Sequence, residues 1–441
     1  MKDKYSKILS DMIKIETVSA EGQTDLRKFR KFHTLLKKKF PKIFAVCEVT
    51  DYDGSLLMRW PGKNSPEPEN QGILLMNHMD VVEATGEWKY PPFSGEIAEG
   101  KVWGRGALDD KGELFAMLQA AEELAADGFV PERDIWFESA CTEEIAGHGA
   151  DEISKMLAEK GYRFEMVLDE GGMIVDEPIA GAKGTYAMIG VGEKGFADIK
   201  FIAKSAGGHA SAPPKDTPLV RLGKFMSYVD RHEIFDVEIS PAVCEMLKRL
   251  SASMEGASAK AMANPEKFAP IIKKVMAKSS PMSAAMTKTT IAFTCAKGAN
   301  GYNVIPEEAY VIGNMRYSHH QGRDASIEAI SKVAKRYNLE VEVIDPGLES
   351  PISDWNSRGF KLIESGVAEI FEGVTTSPFV TTGASDARYM TRVSDNCFRF
   401  APFKVTDKQM STIHGLNENV DIDSLEPAVE FYKYIIRNFD L

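Results

Sequence analysis

His78 and Asp80 stand two residues apart at the end of a short apolar run, Ile73 to Met76, that begins after Gly72. On an extended backbone this spacing projects both side chains to one side. Asp80 is then placed to hold one imidazole nitrogen of His78 while the other faces a metal ion, the usual way in which a carboxylate orients a metal-binding histidine. Further on, Gly104-Arg-Gly-Ala-Leu-Asp109-Asp110-Lys-Gly112 delivers Asp109 from a glycine-rich turn. It comes just before Leu114, Met117, Leu118, Ala121 and Leu124, whose spacing predicts a helix. A carboxylate at that helix start has two oxygens and can bridge two cations. Two more acidic pairs follow strand-like runs: Glu143-Glu144 after Ile135 to Ala140, and Asp169-Glu170 after Met166 to Leu168.

The elements that must position these groups alternate between strand and helix signals. Tyr5, Ile8, Leu9, Met12 and Ile13 mark an amphipathic helix, and a second lies between Asp25 and Phe40. Phe44 to Val49, Ser55 to Trp60 and Ile73 to Met76 read as strands. The alternation implies an α/β sheet, and in such sheets ligand sites gather at strand ends, so the acids and His78 are expected to converge. Past Gly190 the texture changes. Asp198 to Lys204 and Thr289 to Thr294 read as strands and Leu219 to Val229 as a helix. Between about Ser251 and Met286 lies an Ala, Ser and Met-rich stretch carrying Met254, Met262, Met276, Met282 and Met286. It reads either as a helical insertion with Met as gap-filler or as an adaptable apolar wall for a substrate acyl group. From Arg323 helices near Ser326 to Tyr337 and Leu425 to Phe439, with strands at Glu340 to Ile344 and Cys397 to Phe400, resume the α/β texture. The expected organisation is a catalytic domain over 1–191 and 318–441, interrupted by a smaller unit over 192–317.

Composition narrows the function classes. At 441 residues the chain is too long for one ordinary core, which supports two domains. With 44% hydrophobic and 27% charged residues it has a soluble globular make-up, and no apolar run approaches the roughly 20 residues of a membrane span. Met-Lys-Asp-Lys-Tyr-Ser-Lys at the N-terminus has no apolar signal core, so a cytoplasmic location is expected. Cys47, Cys141, Cys244, Cys295 and Cys397 form no CxxC pair and are expected to be reduced. A formal charge of -12 argues against a nucleic-acid surface.

A set of motifs in order along the chain adds a family resemblance. They are His78-Met-Asp80, Gly104 to Gly112, Glu143-Glu144 with Gly147 and Gly149-Ala150, Asp169-Glu170-Gly-Gly172, Gly207-Gly-His209-Ala-Ser-Ala-Pro213-Pro214, Asn303-Val-Ile-Pro306, Gly383-Ala-Ser-Asp386-Ala-Arg388 and His414-Gly415. Together they resemble the cocatalytic-zinc exopeptidase and deacylase family that includes carboxypeptidase G, aminoacylase, acetylornithine deacetylase, succinyl-diaminopimelate desuccinylase and Xaa-His dipeptidases. The form of the His209 motif leans towards the carboxypeptidase S branch.

The resemblance implies a zinc-peptidase catalytic domain with a mixed sheet flanked by helices, interrupted by an α+β lid and dimerisation domain. It implies two zinc ions, with cobalt or manganese as alternative occupants. His78 and Asp169 would bind one ion, Glu144 and His414 the other, and Asp109 would bridge them through a cis Asp109-Asp110 peptide. Two ions on the order of 3.5–4 Å apart hold a hydroxide and polarise a carbonyl. Glu143, adjacent to a ligand but not one, would be the general base. His209 would help hold the substrate carbonyl, reaching the partner's site across a homodimer formed through the inserted domain. Asp198 to Lys204 and Thr289 to Thr294 are the candidate dimer edges. Asn303 and Arg316 match positions that hold the tetrahedral intermediate and the substrate carboxylate, Arg because its fork donates twice; Gly383 to Asp386, Ser385 among them, would add donors there. His33, His148, His232, His319, His320 and Cys141 receive no role. The implied reaction is cleavage of the amide bond of an N-acyl amino acid or short peptide next to a free carboxylate. The alternatives are an aminopeptidase or dipeptidase that needs a free amine, and a catalytically silent binding protein.

Overall fold

The computed structural model describes residues 2–23, 25–64, 67–279 and 281–440. Its larger sheet runs in the order Glu48–Tyr52, Ser55–Trp60, Ile135–Ala140, Gln71–His78, Phe164–Asp169, Cys397–Arg399, Thr185–Glu193, Ile174–Asp176 and Lys404–Val405. Val374–Thr381 adds to Thr185–Glu193 in parallel. The central strands Ile135–Ala140, Gln71–His78, Phe164–Asp169 and Cys397–Arg399 are parallel to their neighbours in that set. Their side chains are buried on both faces, as continuous apolar runs require. One face packs against Lys2–Ile13, Lys111–Ala126, Arg358–Ile370 and Ile422–Asn438 through a core that includes Leu9, Phe115, Leu118, Phe360 and Phe431. The other packs Gly149–Glu159 and Ala387–Met390 through Ile153, Leu157 and Met390. His78, Ala140 and Asp169 therefore end neighbouring parallel strands on one edge.

Most elements fall where the periodicity places them, but Phe44 to Val49 does not form one strand. Pro41, suited to the first turn of a helix, opens Pro41–Val46, and the strand begins only at Glu48. Thr185–Glu193 and Val374–Thr381 carry few sequence signals. Gly190 and Gly192 interrupt the first, and a Cβ on Gly190 would stand 3.0 Å from the Arg399 Cβ. Pro378 masks the second, and is tolerated because that strand pairs on one side only.

The smaller unit is an antiparallel sheet in the order Thr290–Lys297, Glu308–Tyr317, Gly195–Lys204 and Glu340–Asp345. Pro218–Arg231 and Gly322–Arg336 cover one face, packing Leu222, Phe225, Ile330 and Val333 on Phe201 and Met315. It continues past the boundary expected at 317, because Gly322–Arg336 and Glu340–Asp345 complete its core and its sheet. Asp198 to Lys204 is an interior strand and offers no free edge; Thr290–Lys297 does lie at an edge. The Met-rich stretch is helical, as Pro241–Ser251, Gly256–Met262, Pro265–Ser279 and Pro281–Ala285. It leaves the small sheet and packs Met246, Leu250, Ile272 and Met276 against Tyr186 and Met188 of the large one.

Candidate metal centre

Asp109 sits at the focus of the strand ends, in the loop ahead of Lys111–Ala126, and its peptide bond to Asp110 is cis. Its Oδ1 lies 2.9 Å from His78 Nε2 and its Oδ2 lies 3.0 Å from His414 Nε2. His414 Nε2 is also 2.9 Å from Glu144 Oε2. Ligand atoms of His78, Asp109 and Glu144 fall within 4.8 Å of one another. The two oxygens of one carboxylate thus face two imidazoles, the arrangement a bridging ligand needs. Imidazole and carboxylate are the ordinary donors for zinc and its neighbours. Glu144 Oε1 is buried with no hydrogen-bond partner among the described residues. The donor set therefore fits a pair of divalent cations.

The electrostatics describe groups competing for charge. Burial would lower His78, but hydrogen bonds to Asp109 and Asp80 hold it well above the usual imidazole range. Asp109 and Glu144 raise His414 to about 10. Burial would raise Asp109, yet His414 and His78 hold it well below the usual carboxylate range. Burial pushes Glu144 up. A cation here takes lone pairs that protons otherwise hold, so binding releases protons.

Asp80 does more than the spacing predicts. His78 Nδ1 lies 3.0 Å from the Asp80 main-chain oxygen and 3.5 Å from its carboxylate. That carboxylate accepts from Ser19 Oγ at 2.7 Å and from the N–H groups of Glu143 and Glu144 at 3.2 and 3.1 Å. It therefore fixes the turn carrying both glutamates. The turn also needs Gly147, where a Cβ would come within 2.4 Å of the Thr142 Cβ. Glu143 is raised well above the usual carboxylate range by burial and then by Asp386 and Glu144, although His78 opposes this. It lines a cavity of about 200 Å³ together with Asp109, Glu170, Gly383, Ser385 and His414.

Not every expected group reaches this cavity. Asp169 is buried with one carboxylate oxygen accepting from Ala387 N–H at 2.7 Å, while its neighbour Glu170 lines the cavity. His209 and Asn303 lie together in the small unit, where Ala210 N–H donates to Asn303 O and Gly208–His209 pairs with Val304–Ile305. His209 is exposed, beside a wholly exposed Tyr302, and neither it nor Asn303 lines the cavity of its own chain. Arg316 stacks on Phe196 and donates to Asn314 Oδ1, and its Nη1 is buried without a partner among the described residues. Ser385 is already committed, since its N–H and Oγ both donate to Glu193 Oε2 at 2.9 and 3.2 Å.

Three residues that the sequence reading passed over hold the site in place. Glu418 accepts from the N–H groups of Leu108 and Asp109 and from Arg105 Nη1. Glu193 also takes Arg399 Nε at 3.3 Å, and Arg399 is wholly buried. Their partners lie far away in the sequence, so no spacing signal marks them.

The model of peptidase family M20/M25/M40 matches residues 74–438. The chain belongs to this family. It is 32% identical over 445 residues to human N-fatty-acyl-amino acid synthase/hydrolase PM20D1, covering 98% of this chain and 87% of that protein. It is 32% identical over 426 residues to a probable carboxypeptidase S-like 2 of Dictyostelium discoideum, covering 93% and 79% of the two chains. Carboxypeptidase S of Saccharomyces cerevisiae is 26% identical over 488 residues, with 97% and 83% covered. The fold matches that of the M20 family metallo-carboxypeptidase Sso-CP2 from Sulfolobus solfataricus with a TM-score of 0.71 at 17% identity, covering 99% of each chain. The expected family and its carboxypeptidase S branch are thus established, and the chain is a metal-dependent hydrolase of this family.

Proposed function

We propose that this enzyme cleaves the amide bond of an N-acyl amino acid, or the last bond of a short peptide, next to a free carboxylate. The observation that carries this is one shared cavity, lined by Glu143, by Asp109 and His414 of the cluster, and by the Gly383 to Ser385 loop. The names of the human and yeast relatives, an N-fatty-acyl-amino acid hydrolase and a carboxypeptidase, support the same substrate class.

His78 and Asp169 would hold one cation and Glu144 and His414 the other, with Asp109 between them. Zinc is the natural occupant of this donor set. When bound, the ions polarise the scissile carbonyl and make a water acidic. Glu143 accepts the proton of the attacking water and returns it to the leaving amine; a carboxylate raised by burial suits both halves of that transfer. Asp80 keeps His78 and the Glu143-Glu144 turn in register. Arg316, whose Nη1 has no partner among the described residues, and the N–H groups of Gly383 and Ala384 bind the substrate carboxylate, with Ser385 anchoring the loop through Glu193. Asn303 and an exposed His209 complete a partner's site, and the edge strand Thr290–Lys297 supplies the homodimer contact. The enzyme acts in the cytoplasm, a reading supported by five free cysteines. Among the described residues no helix is long and apolar enough to cross a membrane.

A hydrolysis screen tests this reading. N-acetyl and longer N-acyl amino acids are compared with free-amine dipeptides in the presence of zinc, cobalt or manganese. Cleavage of the N-acyl series is expected. Cleavage confined to substrates with a free amine would replace this reading with an aminopeptidase or dipeptidase.

A further inference from the structure

Although the chain carries a formal charge of -12, a hollow in its small unit is strongly positive. This cavity of about 640 Å³ is lined by Lys204, Lys215, Arg221, Lys224 and Arg336, with Asp216 as the only acid among its described lining residues. It shares no lining residue with the cavity at the metal centre. Two of the cations are balanced, Lys224 by Asp216 at 2.5 Å and Lys204 by Glu340 at 2.6 Å. Lys215, Arg221 and Arg336 have no ion pair among the described residues. Arg221 is only 9% exposed, and its guanidinium donates to the main-chain oxygens of Asn338, at 2.6 Å, and of Lys204. Carbonyls fix the direction of that group without cancelling its charge, and a buried charge without a counterion is costly. An anion in the cavity supplies one. Thr217 and Pro218, at the start of Pro218–Arg231, also line the cavity, and Thr217 makes no side-chain capping bond, so the positive end of the helix dipole adds to the field.

We propose that this cavity binds a phosphate-bearing small molecule and that occupancy stiffens the loop that carries His209. A phosphate monoester brings close to two negative charges and three acceptor oxygens, where a carboxylate brings one charge. Three uncompensated cations around one hollow call for that density, and the fork of an arginine matches phosphate geometry. The volume is that of a small-molecule site. Lys204 to Gly207 form the outgoing stem of the His209 loop, Pro214 and Lys215 form the returning stem, and both stems line the cavity. An anion that engages Lys215 together with Arg221 and Arg336 ties the returning stem to Pro218–Arg231 and Gly322–Arg336. The loop between the stems then moves less. The proposal needs no turnover and is independent of the N-acyl amino acid reading above.

Calorimetric titration of the metal-loaded protein with glucose 6-phosphate, inorganic phosphate, citrate and glucose tests this. Saturable binding of glucose 6-phosphate is expected, and none of glucose. Lys215→Glu combined with Arg336→Glu, both at exposed positions, should weaken that binding at least about tenfold, since two attractive charges become repulsive. Lys260→Glu combined with Lys278→Glu makes the same change in net charge at exposed positions outside the cavity and should leave the affinity within about twofold. Hydrogen exchange over residues 205–216 should slow when glucose 6-phosphate is bound. Equal affinity for inorganic phosphate assigns the free ion as occupant, and a tighter ester assigns a phosphorylated metabolite. Phosphate held at the metal centre instead would be indifferent to Lys215→Glu with Arg336→Glu, so an unchanged affinity in that variant overturns the proposal. Citrate binding tighter than both phosphates, or no saturable phosphate binding at millimolar concentrations, overturns it as well. Exchange that does not change on binding overturns the link to the His209 loop.

Discussion

Glu418 offers the sharpest test of how the fold aims Asp109. It is wholly buried, and its two oxygens serve three donors: Leu108 N–H at 2.9 Å, Asp109 N–H at 3.1 Å and Arg105 Nη1 at 2.8 Å. Glu418→Ala leaves the Arg105 guanidinium, itself 2% exposed, without its carboxylate and leaves two backbone donors without acceptors. Breaking one side of a buried ion pair costs about 3–5 kcal/mol, and each orphaned buried donor about 1–3 kcal/mol. These losses share one cavity and do not add fully, so about 4–6 kcal/mol is expected. Glu418→Gln keeps an acceptor for the two N–H groups but removes the countercharge of Arg105 and turns an amide NH2 towards it, so it spares only the backbone part of the loss and costs about 3–5 kcal/mol. Urea unfolding of the metal-free protein, followed by circular dichroism, reads the stability. Zinc titration reads the second consequence, a weaker site, because Asp109 loses the anchor of its own backbone. If Glu418→Ala cost under about 1 kcal/mol and bound zinc with unchanged affinity, the claim that this distant acid positions the bridging carboxylate would be refuted.

Other outcomes follow from the same geometry. His414 is raised from 6.5 to about 10 by Asp109 and Glu144, so its pairing stabilises the metal-free fold fully below pH 6.5 and is lost as pH climbs towards 10. A cation displaces that proton, so scanning calorimetry between pH 6.5 and 8.5 should show the zinc-free Tm falling and the gain on adding zinc growing; a constant gain would contradict the ligand role of His414. Asp169→Asn should lower metal content by about one ion per chain while Glu170→Gln retains both; the reverse, read by elemental analysis, would make the cavity-lining Glu170 the ligand. Glu143→Ala and His209→Ala homodimers should each be nearly inactive, and co-expression should restore part of the activity through mixed dimers. A monomer in solution, or heterodimers without recovery, would place His209 in its own chain's site.

Much of the site was legible because its groups follow apolar strands whose ends are visible in the sequence. Gln71–His78, Ile135–Ala140 and Phe164–Asp169 each finish where a polar ligand candidate begins. The less legible parts depend on distant partners. Glu193 and Arg399 meet across the sheet beside Gly190, a residue that weakens the very strand signal it serves. Gly322–Arg336 and Glu340–Asp345 look like the α/β pattern on either side of them, and only strand pairing assigns them to the small sheet. The helical Met-rich stretch was visible as helix, yet its return to the large sheet depended on contacts with Tyr186 and Met188 that carry no periodic signal.

The central claim is that the cluster around Asp109 holds two cations while Glu143 moves the proton. Elemental analysis and turnover of the unaltered enzyme, Glu143→Ala and Glu144→Ala test it side by side. The unaltered enzyme should carry two divalent ions per chain and cleave N-acyl amino acids. Glu143→Ala should keep both ions and lose turnover at least about a hundredfold, and Glu144→Ala should lose an ion. Loss of metal from Glu143→Ala with full retention in Glu144→Ala would contradict the account.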